Sequence, residues 1–346
     1  ISLKKVILKE IFMKNIFKIL FVIIGTLVGA GFASGKEIYS FFFIYGIKGI
    51  LGIFISVFII SFIIYKVLKI CFENKINKYE DFCKYIGVGQ ISNIVNIFLL
   101  ITYFIMISGF SSFLKQEFGI NSLIGSFIIV LLCYFILLKN IDGLIKVSNY
   151  LMPILIIFLI FISLNNLDFH NNYNNIFNRV NSVLPKEGGI FKSVLYASYN
   201  CILLIPVLVT LIKYIQNKNN ILVTSIFNFI VTTLLSLSVY NLLLLGNQEI
   251  FNLDMPIIKI VEKYGSIYKI LYVIMIAISI FTTAISTGYS FLSNCTKSKK
   301  TYKIILGIVS FFAIFLSQIS FSVFVDLLYP VLGIVGIFEI FLIIKK

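Results

Sequence analysis

Tryptophan is absent from this chain, histidine occurs once, and only 12% of the 346 residues are charged. A soluble domain carries about 25% charged residues, so the shortage excludes a water-facing globular protein. The one histidine, His170 in a polar stretch, leaves no material for a histidine metal site or a Ser-His-Asp triad. Clustered acidic residues are also missing from the apolar runs, which argues against an integral membrane enzyme. The five cysteines (Cys71, Cys83, Cys133, Cys201, Cys295) form no CxxC pair and read as small buried apolar residues. Nothing resembles an ATP-binding loop.

What is present is apolar: 60% hydrophobic residues and a mean hydropathy of +1.04. Runs long enough to cross about 30 Å of hydrocarbon recur along the whole chain. The predicted spans are 16–45 (interrupted), 47–70, 91–114, 122–139, 143–164, 190–212, 221–245, 266–293, 302–318 and 321–343. The expectation is therefore an all-α integral membrane protein with about ten transmembrane helices. The first apolar run lacks a small-residue cleavage site and reads as a span rather than a signal peptide. The longest polar stretch, 165–189, reads as an extracellular loop. It divides one transmembrane domain into a first half, about 14–164, and a second, about 190–346.

The net charge of +15 does not indicate a nucleic-acid partner, because the lysines lie between apolar runs with no basic face. They read as topology signals in a lipid bilayer. With the N-terminus inside, twenty of the 29 basic residues fall on the inner side. Lys36, Lys48, Lys115, Arg179, Lys186, Lys192, Lys259, Lys263 and Lys269 fall outside. Positive charge favours the cytoplasmic side, so both termini are expected inside, in the inner (cytoplasmic) membrane of a bacterium.

One stretch departs from the monotony. Residues 25–37 read Gly-Thr-Leu-Val-Gly-Ala-Gly-Phe-Ala-Ser-Gly-Lys-Glu, and each of the four glycines weakens a helix by about 1 kcal/mol relative to alanine. Unwound backbone at membrane depth survives only where protein buries it or where it lines a watery cavity. Ser34-x-x-Glu37 fits a capping box that would restart a half-helix. Transporters build midplane sites from such discontinuous helices, whose half-helix N-termini face anions while freed carbonyls face cations. The alternative is that Gly25-x-x-x-Gly29 only lets two helices pack closely.

This 25–37 segment resembles the first-helix signature of the YkvI-like bacterial membrane proteins. They in turn resemble the amino acid-polyamine-organocation superfamily with its LeuT fold. The resemblance implies a five-plus-five inverted repeat with discontinuous first and sixth helices. It implies that Gly25 and Val28 supply carbonyls to a sodium ion, and that Leu27, Ala30 and Gly31 supply backbone around an amino acid. In the eighth span Ser279, Thr282 and Thr283 match the segment that completes the sodium site. By composition alone these three, with Ser286 and Thr287, form a hydroxyl-rich patch in an apolar helix, equally suited to hydrogen bonds within or between helices.

The remaining candidates are more scattered. Tyr196, Ser198 and Asn200, before Pro206, mark the expected break in the sixth span, although no glycine is present there. With Thr287 and Tyr103 of the third span they are candidate pocket walls. Charges within spans are costly and point to function: Lys36 and Asp326 form a candidate outer gate, by analogy with the superfamily, and Glu37 a cap. Glu339 is expected to face Lys345 or the interface. Lys146 raises proton coupling in place of sodium, although with Asp142 it reads as a helix-end pair. The expected function is secondary active transport of a small solute, an amino acid or related amine, coupled to sodium or protons. A solute-sensing receptor on a transporter scaffold is the alternative. No organic cofactor is expected, and the sequence says nothing of oligomeric state.

Overall fold

The computed structural model describes residues 3–165, 188–246, 250, 253, 255–318 and 321–346; side chains are described from Met13 on, apart from 321–330. Among the described residues every regular element is helical. They are α1 Leu3–Leu27, α2 Ala30–Ser34, α3 Lys36–Phe41, α4 Ile47–Glu73, α5 Tyr79–Tyr85, α6 Ile91–Phe118 and α7 Ser122–Leu137. Then come α8 Asn140–Asn165, α9 Gly189–Leu211, α10 Lys218–Leu243, α11 Pro256–Glu262, α12 Ser266–Cys295, α13 Lys299–Leu316 and α14 Phe321–Lys345. Among the described residues, six helices are long and apolar enough to cross a membrane: α4, α6, α8, α9 with its continuation to Tyr214, α10 and α12. His170 and most of the polar loop lie outside the described residues.

Large apolar side chains such as Phe58, Phe127, Phe135, Phe311 and Phe338 stand exposed on the outer surface. Exposed apolar area on that scale suits a lipid environment rather than water. The interior is organised around α9, which packs along α4 and α14, while α12 packs along α6 and α8, and α1 lies against α8, α10 and α12. Small residues set these distances. A Cβ on Gly336 of α14 would run into the backbone of Ser198, and one on Gly333 would lie 2.8 Å from Leu195. On the opposite side of α9, Ser56 of α4 donates to the carbonyl of Ser193 at 2.8 Å. Apolar burial cannot drive helices together in lipid, so close backbone approach and interhelical hydrogen bonds must do so.

The expectation of a discontinuous sixth span is overturned. Gly189–Leu211 is one continuous α-helix through Tyr196, Ser198, Asn200 and Pro206. Without glycine the segment has no residue free to take a left-handed φ, and the one strong helix breaker in it, Pro206, is absorbed within the helix. Its polar side chains reinforce the coil, Ser198 donating to Val194 O at 2.7 Å and Asn200 to Tyr196 O at 3.0 Å.

Candidate functional site

The first span is broken where its glycines lie. α1 stops at Leu27, Gly29 is extended (φ −95°, ψ −169°), and α2 runs for only five residues before Gly35 turns the chain at φ 86°. A left-handed φ of that size suits glycine. The expected capping box is displaced by this second break: the N-cap of α3 is Gly35, with no side-chain cap bond. Ser34 instead receives the Lys36 N–H at 3.4 Å and donates to Gly31 O at 3.2 Å.

Breaking the helix frees carbonyls, and α12 meets them. Thr283 donates to Gly25 O at 2.8 Å and lies 3.2 Å from Val28 O. The Ser279 hydroxyl lies 2.8 Å from both Val28 O and Gly29 O. Thr282 turns its hydroxyl to its own helix, 2.9 Å from Ile278 O and 3.1 Å from Ser279 O, while its Cβ faces Gly25. The structure thus gathers oxygens of Gly25, Val28, Ser279 and Thr283 into one buried cluster, with Thr282 beside it but its hydroxyl turned to its own helix. Among the described residues no three His, Cys, Asp or Glu side chains gather to hold a metal, so this cluster is built of neutral oxygens. Hard monovalent and divalent cations without ligand-field demands accept carbonyl and hydroxyl oxygens, and the donor set fits a sodium ion.

Leu27, Ala30 and Gly31 are buried at the break. Gly31 packs against the carboxyl of Glu37, which a Cβ there would strike. Glu37 does more than cap: buried, it accepts a hydrogen bond from the Tyr199 hydroxyl of α9. From α12, Tyr272 donates to Ala33 O at 2.7 Å, and Met106 of α6 faces Gly29. Tyr196 stacks edge-on against Phe41, Phe42 and Tyr199. Residue type marks neither Met106 nor Tyr272 as functional; Tyr199 falls in the 196–200 stretch expected to line a pocket, and Glu37 stands out by its charge inside a span, though only as a cap.

Other candidates lie elsewhere. Tyr103 packs its ring on Gly288 of α12, one turn before the Met106 that meets the break. Ser198 presents its backbone to Gly336, Asn200 bonds its own helix, and Thr287 donates back to Thr283 O at 2.9 Å. Ser198, Asn200 and Thr287 spend their polar groups within their own helices, whereas the Tyr103 hydroxyl is buried and makes no hydrogen bond to its own helix. Lys36 is part-buried, but the Asp326 side chain lies outside the described residues. Lys146 is exposed, which places it away from the oxygen cluster, and Asp142 accepts from Tyr214 at 3.3 Å. Glu339 does not face the interface: it is fully buried and accepts from Tyr79 at 2.9 Å.

No family model matches the chain. It is 26% identical over 326 residues to the membrane protein YkvI of Bacillus subtilis (strain 168), with 92% of each chain covered. To the protein YyaD of the same organism it is 22% identical over 330 residues, covering 93% of this chain and 94% of that one. Among solved structures it resembles MhsT in complex with L-phenylalanine, with a TM-score of 0.64, 14% identity, and 92% and 85% of the two chains covered. It also resembles the substrate-bound outward-open state of a Na+-coupled sialic acid symporter, with a TM-score of 0.63, 13% identity, and 93% and 75% covered. The resemblance to YkvI carried by residues 25–37 is borne out along nearly the whole chain. The fold is the LeuT fold that these two solved structures share, and the chain is a multi-pass membrane protein.

Proposed function

We propose that this protein is a secondary active transporter of a small solute, an amino acid or related amine, working by alternating access with sodium coupling. One observation carries the reading: the carbonyls freed at the broken first helix face the hydroxyls of Ser279 and Thr283. The arrangement sits in the fold of a Na+-coupled symporter, and another protein of that fold binds L-phenylalanine. Gly25, Val28, Ser279, Thr282 and Thr283 hold the ion in this reading. Bound there, sodium supplies the positive charge that the freed carbonyls lack. Leu27, Ala30 and Gly31 offer backbone to the solute, with Tyr196 beside them and Tyr103, Ser198, Asn200 and Thr287 in supporting positions. Lys36 and Asp326 close the outer side.

The same reading places ten crossings in a bacterial inner membrane with both termini in the cytoplasm, and makes 14–164 and 190–346 the two inverted halves. α1 and α12 belong to different halves, so an ion shared between them would bind most tightly in one arrangement of those halves. A differential affinity of that kind is what a coupling ion needs to bias a two-state equilibrium.

The test is a thermal-stability screen of detergent-purified protein with amino acids and small amines, each in sodium and in potassium. A ligand at about 100 times its dissociation constant stabilises by ~2.7 kcal/mol, a readable shift. An amino acid that stabilises only with sodium, and is then accumulated by liposomes under a sodium gradient, supports the proposal. Binding without flux would point to a sensor instead, and a stabilisation equal in potassium would remove sodium from the reading.

A further inference from the structure

Buried hydroxyls in this protein have a strong habit. Thr26 donates to Val22 O at 2.8 Å, Ser193 to Gly189 O at 2.7 Å and Ser290 to Ser286 O at 2.8 Å, each to the carbonyl one turn back. That bond is the default for serine and threonine in membrane helices. Thr224, Thr233 and Ser236 of α10 depart from this habit, and so does Ser148 of α8. Its side chain is fully buried, and its Oγ has no hydrogen-bond partner. A buried polar atom left unmade is costly, so something should repay it.

Its position suggests what. A Cβ built on Gly25 would lie 3.5 Å from Ser148 Oγ, 3.4 Å from Thr282 Cβ and 3.4 Å from Met152 Sδ. The hydroxyl therefore stands beside the glycine whose carbonyl Thr283 engages, at a point that Thr282 of α12 also reaches. Met152, one turn further along α8, closes that side with a soft thioether, a poor partner for a hard cation. Ser148 is the hard oxygen there.

We infer that the Ser148 hydroxyl is a further oxygen ligand of the cation site, contributed by a third helix, so that α8 clamps the ion together with α1 and α12. This rests on the sodium reading above. It makes α8 a determinant of sodium affinity and leaves the solute's own contacts at α2 untouched. Ligation of the cation would give this hydroxyl, which has no partner in the protein, a partner of its own.

The experiment measures melting temperature against sodium concentration, at constant ionic strength with potassium, for the full-length protein in detergent. Ser148→Ala should melt no lower than wild type in potassium, because it loses an unsatisfied group. Its half-saturating sodium concentration should rise on the order of tenfold, the weight of ~1.4 kcal/mol. Ser148→Cys, nearly the same size but soft, should show the same rise, and this variant decides the matter if the alanine protein does not fold. Thr26→Ala, whose hydroxyl serves its own helix, should leave the sodium midpoint in place. An unchanged midpoint in both Ser148 variants overturns the inference while sparing the sodium site. A wild type that melts alike in sodium and potassium overturns both.

Discussion

The hydroxyl of Tyr199 in α9 donates to the buried carboxylate of Glu37 in α3, joining the least exposed of the long helices to the last piece of the broken one. Removing a donor from a buried acceptor costs about 1–3 kcal/mol. Tyr199→Phe should therefore lower the melting temperature by several degrees, with Glu37→Gln milder because it keeps the shape. A phenylalanine variant that melts with wild type would show that the bond contributes nothing.

Gly31 has no room for a side chain, because Glu37 occupies the space. Overpacking of this kind costs about 1–3 kcal/mol. Gly31→Ala should already destabilise the protein, and Gly31→Leu should abolish transport outright. Flux of a solute into liposomes is the readout, and full flux through the leucine variant would remove the broken helix from the transport path.

Thr283 and Thr282 are neighbours with different duties. Thr283 reaches across to Gly25 O, whereas Thr282 is turned to its own helix. In sodium-free buffer Thr283→Ala should cost about 1–3 kcal/mol and Thr282→Ala much less. The double alanine variant should lose its response to sodium, as seen by melting curves in the two salts. Equal losses from the two single variants would contradict this division.

Gly336 meets the backbone of Ser198 too closely for any Cβ. Gly336→Ala should separate α9 from α14, with a loss of about 1–3 kcal/mol, while Gly307, with open space around it, should tolerate alanine. The comparison of the two melting temperatures tests whether glycine matters there for packing.

Lys259 and then Lys269 hold the Glu262 carboxyl below its ordinary value of 4.5, with Lys269 also 3.3 Å from Glu117. A carboxyl lowered in the folded state contributes stability above its unfolded value, and that contribution is lost as pH falls through the folded one. Wild type should therefore lose melting temperature faster than Glu262→Gln as pH drops below about 4.5. Exposed pairs are screened, so the gap should narrow in high salt; parallel curves in low salt would refute it.

The break in the first span was legible because glycine is costly in a helix and four of them crowd residues 25–35. So was the hydroxyl patch of α12, because hydroxyls stand out in an apolar helix. The sixth span misled: polar and aromatic residues resemble a pocket lining, yet only glycine or an interior proline with no support unwinds a helix, and α9 absorbs Pro206. Tyr199 with Glu37, and Tyr79 with Glu339, lie far apart in sequence, and no local pattern announces such pairs. Ser148 was invisible because a serine reads the same whether or not its hydroxyl is used.

At the break, three carbonyl oxygens, of Gly25, Val28 and Gly29, share the two hydroxyl protons of Ser279 and Thr283. Lone pairs outnumber protons, so the cluster is electron-rich without carrying a formal charge. Neither an amide carbonyl nor an alcohol gains or loses a proton in the range where proteins stay folded. Whatever positive charge this cage draws in, protons in solution do not compete for its ligands, and any acidity dependence in the protein's work has to originate at groups outside it, the carboxylates and His170 among them.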